Sequence, residues 1–312
     1  MDRQTSRITL LDGGLATELQ ARGWALDTVL WSAEYLRSNP RALIDAHCAY
    51  LEAGADVLTS ASYQASRAGF HQFGVGAAEA DRLIVSSVAL ARAACDEFAA
   101  ANPDASPRKL AASVGPYGAV LNDGSEYSGD YGVPALTLRQ FHAQRLNLLD
   151  RSGADFLAVE TLPSLLEARV LSDLLAACAT PAWVSFSCRD EQHICDGSGI
   201  EEAAALFSAH PRVFAIGVNC TAPQYVAELV SRIRLAAPDK VVIAYPNSGE
   251  IYDAQQQAWR GTASPVDFLS AAKTWVAAGA TWVGGCCRTG PAHISTLRKG
   301  LRQARLRATP PQ

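Results

Sequence analysis

Along the whole chain, short apolar runs rich in β-branched residues alternate with longer segments whose apolar positions recur at helical spacing. The short runs predict strands at Ile8–Leu11, Asp56–Ser60, Leu110–Val114, Phe156–Glu160, Ala182–Ser187, Val213–Asn219, Val241–Tyr245 and Thr281–Gly284. Their starts lie about 39 residues apart on average, which leaves room for one helix and two short loops in each interval. Asn39-Pro40 and Ser264-Pro265 each set a capping side chain before a proline at the first helical position. Thr137 with Gln140, Ser164 with Glu167 and Thr221 with Gln224 have capping-box spacing. Helix ends recur too: Gly54, Gly153 and Gly279, each followed by alanine, precede strands two, four and eight.

Such a repeated strand–helix unit predicts an α/β fold, a single (β/α)8 TIM barrel. An open doubly wound sheet would carry a G-x-G-x-x-G loop after its first strand, and Leu11-Asp12-Gly13-Gly14-Leu15-Ala16 does not fit. Barrels of about 250 residues form one domain, so residues 1–312 are expected to make one domain, ordered over about 6–305 with a short tail near Thr309–Gln312. Two long loops, Pro116–Pro134 and Asn247–Ala263, follow strands and so belong to the C-terminal face, as lids or insertions.

Composition narrows the function. Hydrophobic residues make up 49% and charged residues 19%, enough for a large core. A net charge of -4 without a basic stripe argues against nucleic acid. No apolar run reaches the roughly 18 residues that span a bilayer. Met1–Thr9 lacks the apolar stretch and cleavage site of a signal peptide, so a cytoplasmic protein is expected, with its eight cysteines reduced. Cys48, Cys95 and Cys178 fall in helical patterns and read as core residues.

Three other cysteines stand apart. Cys220 ends strand six, and Cys286 and Cys287 follow strand eight after Gly284-Gly285. In a barrel these strand ends open on the same face. Adjacent strand residues point oppositely, so both vicinal cysteines reach one metal only where the backbone leaves strand geometry, which the glycine pair eases. Three thiolates and an open fourth position suit a catalytic zinc site on the C-terminal face. A zinc ion with three thiolates is net negative and a poor activator of water. It suits instead a substrate thiol, which loses its proton to the metal and stays electron-rich enough to attack carbon. A vicinal disulfide or a plain tight turn are the bland alternatives. None of the six histidines sits at a predicted strand end, although His193 lies in a loop on the active face. Cys188 and Cys195 follow strand five with spacing wrong for a zinc knuckle.

Asp12 and Glu160, at the ends of strands one and four, are placed to grip an ammonium group. Gly13 and Gly14 would offer backbone N–H groups to a carboxylate. Glu160 ends the apolar run Phe156–Val159, where an unpaired charge is costly. Trp31, Tyr63, Tyr117 and Tyr245 lie near strand ends and can form a cage for a cationic donor.

With these pieces in order, the chain resembles the homocysteine S-methyltransferases, which include the betaine-dependent enzyme and the homocysteine domain of cobalamin-dependent methionine synthase. The resemblance rests on Asp12-Gly-Gly-Leu-Ala-Thr17-Glu18, Phe156-Leu-Ala-Val-Glu160-Thr161, Gly217-Val-Asn-Cys220 and Gly284-Gly-Cys286-Cys287-Arg288-Thr289-Gly290-Pro291. It implies a zinc barrel with Cys220, Cys286 and Cys287 as ligands and Asp12 and Glu160 on the homocysteine amine. Gly115-Pro-Tyr117-Gly118, Asp123-Gly-Ser-Glu126-Tyr127 and Tyr245-Pro-Asn247-Ser-Gly-Glu250 look most like the branch that uses S-methylmethionine or S-adenosylmethionine. Trp31 and Tyr63 match donor contacts of the betaine-using relatives, and Asn247 joins the expected substrate-binding set. Thr161 stands where the betaine enzyme has tyrosine, which argues against betaine. The tetramer-forming extension and the cobalamin modules are absent, so a monomer or weak homo-oligomer is expected. The expected activity is zinc-dependent methyl transfer from a sulfonium donor to homocysteine, giving methionine. The alternatives are another thiol or selenol acceptor, or a non-catalytic zinc or redox-sensing protein.

Overall fold

Each apolar run forms one strand, and the strands pair in parallel. The computed structural model describes residues 8–26, 28, 30–121, 123–249, 251–253, 258–260 and 264–308. Its barrel strands are β1 (Thr9–Leu10), β2 (Val57–Thr59), β3 (Lys109–Val114), β4 (Phe156–Leu162), β5 (Ala182–Phe186), β6 (Val213–Asn219), β7 (Val241–Tyr245) and β10 (Trp282–Val283). Around the ring they run β1-β10-β7-β6-β5-β4-β3-β2. A parallel bridge between Leu11 and Val57 joins the two ends of that order and closes the barrel. The expected tail near Thr309–Gln312 lies outside the described residues.

The glycine turns before three strands have the geometry their sequence implies. Gly54, Gly153 and Gly279 have φ of 105°, 83° and 124°, which only glycine adopts without strain. The aspartates two residues after the first two turns then pin a neighbouring strand. Asp56 Oδ2 accepts from Leu10 N–H at 3.0 Å, and Asp155 Oδ2 from Leu110 N–H at 3.0 Å.

Helix starts agree in part. Asn39, Ser164 and Ser264 cap their helices through side-chain oxygens. Thr137 does not, because Ala135–Asp150 already begins behind Pro134 and places Thr137 in its first turn. Thr221 does not either: its hydroxyl donates to Asn219 O and accepts Cys188 N–H. Cys178 lies in the turn after Leu165–Leu175 rather than within the helix. The two long loops carry structure of their own. The first holds short helical turns at Gly118–Leu121 and Ser125–Tyr127; the second holds the antiparallel ribbon β8 (Ile251–Asp253) and β9 (Ala258–Arg260).

Strand alternation divides the interior in two. Outward residues such as Leu157, Val159, Val184 and Ile216 join the layer under the helices. Inward residues at the N-terminal end, Ala111, Ala158, Trp183, Ala215 and Ile243, pack with Phe156 and Trp282 into a plug. Gly217 sits in that bore because a Cβ there would meet Ile243 O at 1.8 Å. A filled lower bore leaves the C-terminal end as the place for a cavity. Among the described residues no helix is long and apolar enough to cross a membrane.

Candidate active site

Three sulfurs meet at the C-terminal mouth. The Sγ atoms of Cys220, Cys286 and Cys287 all lie within 4.8 Å of one another, and Cys220 and Cys287 are 3.6 Å apart. Tetrahedral coordination with metal–sulfur bonds of about 2.3 Å requires sulfur–sulfur edges of about 3.8 Å. The triad therefore fits a thiophilic metal with little rearrangement.

The adjacency of Cys286 and Cys287 is resolved by ending the strand early. β10 stops at Val283. Cys286 N–H then donates to Pro246 O at 2.8 Å, and Thr289 N–H closes a turn on Cys286 O at 3.2 Å. Arg288 takes φ 64° in that turn, its N–H held by Thr17 Oγ1 at 3.0 Å. Gly284 and Gly285 are not at positive φ, so conformational freedom is not their role. They allow close approach: a Cβ on Gly284 would meet Leu11 Cβ at 2.5 Å, and one on Gly285 would meet Thr289 Oγ1 at 2.2 Å.

Cys220 is also held in an uncommon conformation, at φ 48°, and Thr161 opposite it at φ 61°. Left-handed backbone at a β-branched residue persists only where neighbours over-determine it. Asn219 does so here. Its Oδ1 accepts from Thr161 N–H at 2.7 Å and from Ser185 Oγ at 2.8 Å. Its Nδ2 donates to Thr161 Oγ1 at 2.7 Å and approaches Cys286 Sγ at 3.8 Å. Within the triad, hydrogen bonds from the neighbouring thiols hold Cys287 well below the usual thiol range, while donating to them pushes Cys220 up. One thiolate is stabilised by two thiols; a full set of three requires a cation.

Beneath the sulfurs lie two carboxyl groups. Asp12 Oδ2 accepts from Thr59 N–H at 2.7 Å, and Thr59 Oγ1 is 3.1 Å from both its oxygens. Ser113 Oγ makes a very short hydrogen bond to Glu160 Oε1. Burial pushes Asp12 well above the ordinary range against the Thr59 bonds, and Glu160 adds to the rise. Burial likewise lifts Glu160 to about 7, with the Ser113 bond opposing. Neither has a Lys, Arg or His partner among the described residues.

A cavity of about 690 Å³ joins these groups, lined by Asp12, Gly13, Gly14, Trp31, Tyr63, Tyr245, Glu160 and the three cysteines. Gly14 N–H is already bonded to Thr289 O at 2.9 Å, so it is not free to receive a substrate carboxylate as expected. Trp31, 37% exposed and at φ 47°, stands at the rim. Tyr245 is buried deeper, its hydroxyl 2.9 Å from Trp183 Nε1 and 2.5 Å from Ser185 Oγ. Tyr117 and Asn247 are not in the lining. The Tyr117 ring packs edge-on against Tyr131 and Phe141. Asn247 N–H donates to Thr221 O at 3.1 Å. His193 pairs with Asp190 at 3.0 Å, and Cys195 Sγ is 3.4 Å from Ser187 Oγ.

Several lining or supporting residues had no site role in the sequence reading: Thr59, Ser113, Asn219, Glu126 and Tyr127, the last three although they lie in recognised stretches. Asn219 had a usable signal, a polar residue at an inward position beside the chemistry-bearing Cys220. Glu167, read as half of a capping box, is instead fully buried. It accepts Tyr117 N–H at 2.6 Å and Tyr131 O–H at 2.8 Å and meets His142 Nε2 at 2.7 Å, anchoring the first long loop.

The family model described as homocysteine S-methyltransferase matches residues 9–301. The chain belongs to this family. It is 43% identical to Homocysteine S-methyltransferase 4 of Zea mays over 97% of this chain and 92% of that protein. It is also 43% identical to the homocysteine S-methyltransferase of Escherichia coli (strain K12), over 96% of each. The crystal structure of the homocysteine methyltransferase MmuM from Escherichia coli in its metallated form superposes with a TM-score of 0.85 at 40% identity, covering 95% of this chain and 96% of that one. In this member of the homocysteine S-methyltransferase family, the sulfur triad and the paired carboxyls thus share one cavity at the barrel mouth.

Proposed function

We propose that the protein transfers a methyl group from a sulfonium donor, S-methylmethionine in the first place and S-adenosylmethionine in the second, to homocysteine, giving methionine. The observation that carries this is the pairing of three converging thiols with two buried carboxyls that have no cationic partner among the described residues. Such a cavity calls for a metal and for an amino group, and an aminothiol brings its sulfur to the first and its ammonium to the second. Zn²⁺ held by Cys220, Cys286 and Cys287 would supply the acidity that keeps an acceptor thiol ionised at neutral pH.

The chain's own residues do the rest. Asp12 and Glu160 receive the ammonium, whose charge offsets the burial that otherwise favours their protonated forms. Thr59 and Ser113 hold the two carboxylates in place. Asn219 fixes the conformation of Thr161 and, as the residue before Cys220, ties that end of β6 to β4 and β5. Trp31, Tyr63 and Tyr245 give the cavity aromatic walls that favour a cationic donor. Tyr117 and Asn247 contribute by anchoring loops rather than by contact. The acceptor sulfur attacks the methyl carbon in line, and the donor carbon–sulfur bond breaks with its electron pair going to the donor sulfur. Positive charge on the donor and negative charge on the acceptor are lost together. Holding the two in attack geometry supplies much of the rate.

The test is mass spectrometry with S-methylmethionine carrying deuterated methyls. With homocysteine carrying carbon-13 in its backbone, zinc-loaded protein should form methionine that bears both labels, and a chelated sample should not until zinc is restored. Absence of label transfer at full zinc occupancy would refute the sulfonium assignment.

A further inference from the structure

Besides the deep pair, the cavity has a third carboxylate, on the loop over its mouth. Glu126 lies in the helical turn Ser125–Tyr127 and lines the cavity together with Trp31, Tyr63, Tyr127 and the sulfur triad. Tyr63 O–H is 3.4 Å from Glu126 Oε2. Among the described residues Glu126 has no Lys, Arg or His partner. A half-buried carboxylate facing aromatic rings, with hydroxyl donors and no cation, is half of a charge pair.

The backbone that carries this carboxylate is well tied. Tyr127 N–H and Gly129 N–H close the turn on Gly124 O and Ser125 O, at 3.0 and 2.9 Å. Gly118 packs so closely beneath it that a Cβ there would meet Glu126 N at 2.6 Å. The loop's base is secured by Glu167 on Tyr117 N–H and by the buried Arg145 guanidinium on Gly115 O. Its position is therefore built into the fold.

We propose that Glu126 is the counter-ion of the donor's sulfonium centre and makes the site selective for cationic donors. This rests on the sulfonium reading above, in which Asp12 and Glu160 are occupied by the acceptor. The chemistry gives a distinctive signature. Donor charge is full in the bound complex, partly lost in the transition state and gone in the product. Glu126 thus holds the intact donor more tightly than the transition state, and releases the neutral thioether. Its contribution raises donor affinity and gives no acceleration of turnover at saturation.

The experiment compares wild type with Glu126→Gln and Glu126→Asp, all zinc-loaded. Donor affinity is read by calorimetry without homocysteine, and donor KM and kcat by methionine formation. Trimethylsulfonium serves as a competitive probe that carries a sulfonium and no ammonium. Glu126→Gln should weaken S-methylmethionine and trimethylsulfonium roughly tenfold each, the scale of one charge-assisted contact. It should leave kcat unchanged or raise it by a few-fold, and leave zinc content and homocysteine KM in place; Glu126→Asp should recover part of the affinity. The proposal is overturned if donor affinity is unchanged, if kcat falls at constant KM, or if homocysteine KM moves instead. It is equally overturned if S-methylmethionine weakens while trimethylsulfonium does not, since Glu126 would then hold the donor's ammonium. Wild-type protein that binds S-methylmethionine without turnover would refute the sulfonium-transfer reading and still leave the Glu126 comparison decided by calorimetry. Wild type that binds neither sulfonium would end both.

Discussion

Phe156, Trp183 and Trp282 fill the lower bore of the barrel with rings whose centroids lie 5.6 to 6.3 Å apart, and Ile243 packs among them fully buried. A few residues further along the same strands the inward positions become Glu160, Ser185 and Tyr245, with the thiols just above. Both regions are buried, but burial acts oppositely in them. In the lower bore it removes apolar surface from water and stabilises the fold. At the mouth it raises the free energy of carboxylates and thiolates that only a ligand can compensate. The mouth is therefore expected to be a source of instability in the empty protein and of affinity in the occupied one.

The largest effect should come from below. Ile243→Ala should lower stability by about 2–5 kcal/mol, the usual range for such truncation, measured by urea unfolding. KM for both substrates should hold; a shifted KM would mean that the plug also shapes the site.

Glu160→Gln should do the reverse. Glu160 titrates near 7 in the fold against an ordinary value of 4.5, chiefly through burial. Below about pH 4.5 it is protonated both folded and unfolded and contributes nothing. As pH rises from about 4.5 to 7 the unfolded chain releases a proton that the fold still holds, so stability falls, by about 3 kcal/mol in all, and stays at the lower level at pH 8. Without metal or ligand, Glu160→Gln should therefore be more stable than wild type at pH 8 and no different near pH 4.5, while binding homocysteine more weakly. A variant less stable at pH 8 would break the contrast between the two ends.

Asn219→Ala tests the boundary between them. It strands the Thr161 and Ser185 groups that Asn219 satisfies. Metal affinity, measured against a competing chelator, should fall roughly 10–100-fold, as for other groups that support ligands from behind. An unchanged affinity would mean that Cys220 keeps its φ of 48° without this support.

The same division explains what the sequence disclosed. The lower bore and helix layer follow from alternation and periodicity, and the barrel was legible from them. Cysteines and carboxylates at strand ends were legible because those residue types are out of place there. Thr59, Ser113 and Asn219 were not, since a hydroxyl or amide becomes meaningful only through the partner it meets across the barrel. Glu126 lay in a recognised stretch of a loop expected on the C-terminal face, but which side chain of that loop turns into the cavity has no one-dimensional signature. Gly284-Gly285 misled for a related reason: glycine permits both unusual φ and close approach, and only the packing of Leu11 and Thr289 decides between them. Thr137 shows how a local capping pattern yields to a helix that starts earlier behind Pro134.

X-ray absorption at the zinc edge, with and without homocysteine, decides whether Cys220, Cys286 and Cys287 hold a zinc ion for an acceptor thiol. Three sulfur neighbours from the protein at about 2.3 Å are expected, rising to four when homocysteine is added. A sulfur count that stays the same, or a first shell dominated by nitrogen and oxygen, would contradict that arrangement.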